Sequence, residues 1–390
     1  MGSKRMAGVQ LSQIRAVSEK ARALAAQGKS IISLSIGEPD FDTPPHIVAA
    51  AQQALTEGQT HYGPNRGLLK LREAIAKKLA EENGIQADPE TEIVVTVGAA
   101  EAIFMTMVGL LNAGDEVIVI EPAFINYVQV AQMIGAVPVI VSAREENGWV
   151  VDVADIEKAL TPRTRMIIFN TPNNPTGCVY PREVLQGIAD LAIKHDLLVF
   201  TDEIYEKIIY PGAQHISIAS LPGMAERTIT ANGYSKAYAM TGWRLAYVVA
   251  QKDLMLPMLK VHQYTTTCAP TFAQYGAIAA TSEPQDCVRD MVAEFARRRD
   301  LVYRELSDAP GVSLVEPRGA FYAFLNVKAV GLTSMEFVNA ALEEAGVAVV
   351  HGSAFGTCGE GYVRLSYANS YENISEAMAR LKRFLAGRVG

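Results

Sequence analysis

Several common functional signatures are missing from this 390-residue chain. Its four cysteines, Cys178, Cys268, Cys287 and Cys358, lie far apart with no C-x-x-C pair, a spacing that fits neither a zinc site nor a disulfide framework. Reduced thiols in a cytoplasmic protein are the corresponding expectation. No stretch approaches the roughly 18 apolar residues that span a bilayer, so no membrane segment is expected. Neither G-x-G-x-x-G nor G-x-x-x-x-G-K-[ST] occurs in a phosphate-binding context, so a bound phosphate need not belong to a dinucleotide or to ATP. Long runs of one charge are also missing. The 35 basic and 42 acidic side chains give a net charge of −7 spread along the chain, which argues against a nucleic-acid surface. Lys4 and Arg5 are followed by no apolar core of the kind a secretory signal needs, and Met6 stands where myristoylation wants Ser or Thr. No internal repeat or low-complexity linker is evident.

What the chain has in quantity is core. It is 49% hydrophobic and 20% charged, with room for two or three domains. Leu11, Ile14, Val17 and Ala21 are spaced for one face of an opening helix, and helical patterns recur at 45–57 and 68–82. Apolar β-rich runs at 93–97, 116–120, 137–141, 166–169, 197–201, 228–231 and 244–250 alternate with helical stretches, including those starting at Ala99, near 125–134 and at 181–195. This alternation predicts an α/β fold with a mostly parallel, doubly wound central sheet. A long helix over 286–306 then leads into a differently ordered stretch. There, short strands at 321–327, 347–350 and 363–367 and helices at 334–345 and 373–386 predict a smaller α+β unit. The expected division is an N-terminal segment (1–45) packing with the small unit, a large ligand-binding domain (46–285) and a small C-terminal domain (286–390).

Open α/β sheets bind ligands beyond the carboxyl ends of their strands, and four such places carry polar residues. Gly98-Ala99-Ala100-Glu101 turns a strand directly into a helix, where bare backbone N–H groups can hold a phosphate; small residues there also suit simple close packing. Asn170-Thr171-Pro172-Asn173-Asn174-Pro175-Thr176-Gly177 is a rigid loop unusually dense in amides. Asp202 follows an apolar strand, either as a carboxylate awaiting a cation or as the N-cap of a following helix, with Tyr205 close behind. Lys236 stands among small and aromatic residues, where desolvation would free its amine as a nucleophile, and Arg244 adds a permanent cation eight residues later. One ligand answers all four: pyridoxal 5′-phosphate, with a phosphate, a ring nitrogen, a ring oxygen and a carbonyl.

The chain resembles the class I/II aminotransferases of the fold type I pyridoxal-phosphate family, in their aspartate-aminotransferase-like branch, over nearly its whole length. The resemblance rests on six ordered motifs: Gly37-Glu38-Pro39-Asp40-Phe41-Asp42-Thr43-Pro44, Tyr62-Gly63-Pro64, Asn174-Pro175-Thr176-Gly177, Asp202-Glu203-Ile204-Tyr205, Ser235-Lys236 through Gly242-Trp243-Arg244, and Val363-Arg364-Leu365-Ser366. It implies that Lys236 carries the cofactor and moves a proton during the reaction, while Asp202 pairs with the ring nitrogen. Tyr205 and Asn174 would meet the ring oxygen, and Phe124 would stack on the ring. The phosphate falls to the Ala99 and Ala100 N–H groups, Ser235 and Arg244, with Tyr62 reaching in from the second subunit of a homodimer. Arg364, helped by Asn174 and the Gly37 backbone, would take the substrate α-carboxylate.

The implied reaction passes an amino group from an L-amino acid to a 2-oxo acid by a ping-pong route, with aspartate and 2-oxoglutarate as the first pair to expect. Ala100 stands where some relatives carry a lysine for a distal carboxylate. Arg66 is an alternative source of that cation across the dimer interface, or a solvent-exposed loop arginine. His351, Gln263 and Tyr264 are further candidate specificity positions. Aminotransfer of aromatic or other neutral amino acids and β-elimination at a C–S bond, which releases pyruvate and ammonia, are the alternatives.

Overall fold

A computed structural model describes residues 2–388. The strands, in chain order, are β1 (Ile32–Ser33), β2 (Ile93–Thr96), β3 (Glu116–Glu121), β4 (Val137–Ser142), β5 (Thr164–Asn170), β6 (Leu198–Asp202), β7 (Thr228–Gly233), β8 (Ala246–Val249), β9 (Ser313–Leu314), β10 (Tyr322–Asn326), β11 (Val347–Ala348), β12 (Val350–His351) and β13 (Tyr362–Ser366). Seven of them form the central sheet in the order β2-β8-β7-β6-β5-β3-β4. Only β8 runs against its neighbours; all other pairs are parallel. Helices cover both faces, so β2, β3, β6, β7 and β8 are buried almost throughout, which is why they read as continuous Val/Ile-rich runs.

Because β8 is antiparallel to both β2 and β7, those two strands run the same way as β3, β5 and β6. With β4, which is parallel to β3, six strands therefore release their C-terminal ends along one edge of the sheet. β5, β6 and β7 are in register there, with Asn170 opposite Asp202 and Asp202 opposite Ala231.

The helix Asp286–Leu306 leads to a second, antiparallel sheet in the order β12-β13-β10-β9. The N-terminal segment joins this part of the molecule, since β1 pairs in parallel with β11. One hydrophobic cluster accordingly contains Val17 and Leu34 together with Phe295, Phe321, Val363 and Leu381. No helix among the described residues is long and apolar enough to cross a membrane.

Four local readings need correction. Leu11 precedes the first helix, Gln13–Ala26, and is 95% exposed, so the buried stripe begins later, at Val17 and Ala21. Arg244 lies outside β8: it follows a short turn at Thr241–Trp243 with φ of 54°, and this left-handed step turns its side chain back toward Gly98. Asp202 ends β6 and caps no helix; its Oδ1 accepts the Ile204 N–H at 3.2 Å in a tight turn. Two helices, Lys252–Thr265 and Thr271–Ser282, went unread, because Pro257 interrupts the first pattern and alanines dilute the second. The first of them packs close to the helix Ala99–Leu110, where a Cβ on Gly109 would lie 3.0 Å from the Met258 backbone.

Candidate active site

The ends of the parallel strands and the loops of the small sheet meet around Lys236. Its amine donates to the Gly37 carbonyl at 2.5 Å and lies 5.9 Å from the ring centres of Tyr205 and Phe321. Burial, reinforced by the positive charge of Arg364, lowers its pKa to about 8, with Glu38 and Asp202 pulling the other way. The 37–44 segment is tacked against the lysine loop: Thr43 Oγ1 donates to the Ala239 carbonyl at 2.7 Å, Trp243 Nε1 donates to Thr43 Oγ1 at 3.0 Å, and Thr241 Oγ1 donates to Glu38 at 3.0 Å.

Asp202 is buried at the end of β6 and faces Tyr127, whose hydroxyl donates to Oδ2 at 2.7 Å. Burial raises the Asp202 pKa, and the bonds from Tyr127 and the Ile204 N–H oppose that rise. Tyr127 lies one turn along from Phe124, whose half-buried ring meets it edge-on at 6.0 Å. The sequence offered no sign of Tyr127, since only the fold brings its helix under β6. Asn170 has a comparable hidden role. Its Nδ2 donates to the Asp202 carbonyl at 2.6 Å and its Oδ1 accepts the Asn174 N–H at 2.8 Å, so one amide locks the two loops together.

Asn174 in turn accepts from Arg364 Nη1 at 3.0 Å, and Arg364 Nη2 donates to the Ser35 carbonyl at 2.7 Å. The guanidinium is 2% exposed and packs over the rings of Tyr322 and Phe355, 4.5 and 4.9 Å from their centres. Its Nε is buried with no protein partner. Among the described residues no carboxylate reaches ion-pair distance of it, an unusual state for a buried cation. Tyr322 also meets the Tyr205 hydroxyl at 2.8 Å and blocks any Cβ at Gly37, 2.6 Å from its hydroxyl oxygen. The sequence reading overlooked Tyr322, which sits on a strand, away from any recognisable motif.

An anion cradle lies at the start of the helix Ala99–Leu110. Gly98 there has φ of 80°, and a Cβ on it would collide with Arg244 Nη2, so the guanidinium rests directly on the helix N-terminus. Arg244 Nη1 donates to the Thr241 carbonyl at 3.0 Å, and Ala100 and Arg244 both remain exposed, with Ser235 half-buried. Backbone N–H groups, a helix dipole and a guanidinium at one point suit a phosphate.

A third element reaches the site from the small sheet. The Ala123 N–H donates to the Phe355 carbonyl at 2.8 Å, and Glu121 Oε2 accepts the Thr357 N–H at 3.1 Å. Gly356 leaves room for that carboxylate, since any Cβ there would strike it. Burial lifts the Glu121 pKa to about 7.

The remaining predicted positions fall elsewhere. Arg66 is half-buried and donates to the Thr91 carbonyl of its own chain at 2.7 Å, so it is neither a solvent-exposed loop residue nor an unengaged cation; burial lowers its pKa. His351 pairs with Val363 on the small sheet, one residue out of phase with Arg364, and therefore faces away from it. Its Nδ1 meets Ser353 Oγ at 2.7 Å, and burial lowers its pKa. Tyr62 and Tyr264 are 89% and 86% exposed, and Gln263 is exposed beside Tyr264.

The family described as aminotransferase class I and II matches residues 29–381. The chain is 46% identical over 385 residues to aromatic-amino-acid aminotransferase 2 of Thermococcus litoralis, covering 98% of each. It is 50% identical over 364 residues to an aspartate aminotransferase of Pyrococcus abyssi, covering 93% of each. The solved structure of aspartate aminotransferase from Thermus thermophilus with maleate superposes with a TM-score of 0.93 at 41% identity, covering 99% of this chain and all of that one.

Proposed function

The chain belongs to the class I and II aminotransferase family, and we propose that it uses pyridoxal 5′-phosphate, held at the edge of the central sheet, to move an amino group between an L-amino acid and a 2-oxo acid. The observation that carries this reading is a half-buried lysine whose desolvated amine has its pKa lowered to about 8, set between a buried carboxylate and a buried arginine that has no carboxylate partner.

The residues present fit the cofactor. The Ala99 and Ala100 N–H groups, Ser235 and Arg244 would hold its phosphate, and Phe124 its ring face. Asp202, kept in place by Tyr127, would accept a bond from the ring nitrogen, and Tyr205 and Asn174 would serve the ring oxygen. When bound, the cofactor supplies an electron sink for the charge left at the substrate α-carbon. Arg364 binds the substrate carboxylate through its planar fork and sets the α-carbon toward Lys236. The lysine amine, neutral in an appreciable fraction near pH 8, takes a proton at that carbon and returns it on the cofactor side. The aromatic wall of Tyr205, Phe321, Tyr322 and Phe355 keeps this transfer away from water.

We also propose the division into an N-terminal segment (1–45), a large domain (46–285) and a small domain (286–390), a cytoplasmic location, and a homodimer in which the exposed Tyr62 serves the second site. Aspartate with 2-oxoglutarate is the first substrate pair of this reading. Aromatic amino acids are the second, favoured by the engagement of Arg66 with Thr91 and by the aromatic wall. A half-reaction screen tests the reaction class and the substrate pairs together. The cofactor-loaded protein is exposed to each of the twenty amino acids, and the loss of cofactor absorbance and its return with a 2-oxo acid are followed. Conversion by aspartate or by aromatic amino acids supports the corresponding pair. Pyruvate and ammonia without spectral conversion would support the C–S lyase alternative, and no conversion by any amino acid would sink transamination.

A further inference from the structure

A buried polar chain connects the phosphate cradle to the loop that carries Tyr62. His262, on the helix Lys252–Thr265, is fully buried. Its Nδ1 lies 2.7 Å from Glu101 Oε1, and its Nε2 lies 2.8 Å from the Asn65 carbonyl oxygen. A carbonyl cannot donate, so Nε2 must carry a proton. A ring nitrogen 2.7 Å from a carboxylate oxygen must share a proton with it as well. Whichever of the two holds that proton, the His262–Glu101 pair is net neutral.

Glu101 is in the first turn of the helix Ala99–Leu110, the turn whose N-terminus forms the cradle, and its Oε2 accepts the Val97 N–H at 2.5 Å. An unneutralised carboxylate in this place would repel a phosphate bound one turn away. The other end of the chain is anchored as firmly: Asn65 Nδ2 donates to the Thr267 carbonyl at 2.8 Å, and Thr271 Oγ1 donates to the His61 carbonyl at 2.8 Å.

We propose that His262 is a positioning residue for the cofactor phosphate, neutralising Glu101 beneath the cradle and fixing the Tyr62 loop to the same helix. The inference rests on the cofactor reading above and concerns affinity for the phosphate, not the chemistry of transamination.

The test is a binding titration of the cofactor-free protein with pyridoxal 5′-phosphate and, separately, with pyridoxal, which lacks the phosphate. His262→Gln is expected to weaken pyridoxal phosphate binding about tenfold, the scale of one uncompensated like charge nearby, and to leave pyridoxal binding unchanged. Adding Glu101→Gln to His262→Gln removes the stranded charge and is expected to restore affinity to within about twofold of wild type. The double variant buries no lone carboxylate, so it keeps the question answerable if His262→Gln alone does not fold. Equal weakening for both ligands, or a double variant that binds pyridoxal phosphate no more tightly than His262→Gln, would overturn the proposal, as would unchanged phosphate affinity in His262→Gln. Failure of the wild-type protein to bind pyridoxal phosphate would instead refute the cofactor reading.

Discussion

Two clusters of buried charge flank the Asp202–Tyr205 turn, and they differ in how their charges are matched. Behind the turn, Lys78 donates to Asn83 at 2.8 Å and pairs with Glu206, while Glu203 accepts from Ser217 at 2.9 Å and meets His215 Nε2 at 3.0 Å. Burial alone would raise the Glu206 pKa, but Lys78 outweighs it and holds the carboxyl at about 2. In front of the turn, Lys236 has only the Gly37 carbonyl and Arg364 only neutral acceptors. The rear cluster is internally compensated and holds the backbone of the turn in place. The front cluster leaves its cations for a ligand. A lysine stands in each, so the presence of a lysine cannot separate them; the matching of charge can.

Substituting the two lysines tests this contrast most severely. Lys236→Ala should reduce transamination by roughly 10⁴-fold or more, since it removes the proton-transfer group, yet leave the melting temperature of the cofactor-free protein unchanged or higher because a desolvated amine is gone. Lys78→Ala should do the reverse, lowering unfolding free energy by about 3 kcal/mol or more through the stranded Glu206 charge, with near-normal turnover in the folded fraction. Thermal melts and steady-state rates on the two variants would show it; a stability loss in the first, or a selective activity loss in the second, breaks the comparison.

Arg364→Lys sharpens it. The charge remains but the planar fork is lost, so KM for the amino acid should rise about 10- to 100-fold, the worth of one charge-assisted bond. An unchanged KM would mean that the carboxylate binds elsewhere.

The smallest effect concerns Glu121, a buried carboxyl paired with no cation. The folded protein holds its proton more tightly than the unfolded chain does, because the pKa rises from 4.5 to about 7. Its contribution to stability is therefore complete below pH 4.5 and is lost as pH rises through about 7. Glu121→Gln mimics the protonated form. Its stability advantage should be near zero at pH 4.5 and appear as pH rises toward 8, read from denaturant titrations at both values. A pH-independent difference would remove Glu121 from the account.

Much of the fold was legible because buried parallel strands write themselves as short Val/Ile runs, and their turns carry Gly, Pro and Asn. The long helix Asp286–Leu306 was equally plain from its amphipathic spacing. The helices flanking Cys268 were not, since a proline and a run of alanines blur the period. In the site, Lys236, Asp202, Asn174 and Arg364 were accessible through motifs. Tyr127, Tyr322 and His262 were not, because their roles depend on contacts across 75, 117 and 161 residues of sequence. Arg66 is half-buried rather than solvent-exposed, and one of its donors is held by the Thr91 carbonyl of its own chain.

The most direct test of the central claim is the absorbance of the cofactor on mixing with Lys236→Ala and Lys78→Ala, each cofactor-free beforehand. The account predicts that Lys78→Ala, like wild type, develops the long-wavelength band of lysine-attached cofactor and loses it on addition of a substrate amino acid, whereas Lys236→Ala never develops the band. A normal band in Lys236→Ala would contradict it, because the unmatched lysine at the sheet edge would then not be the one that carries the chemistry.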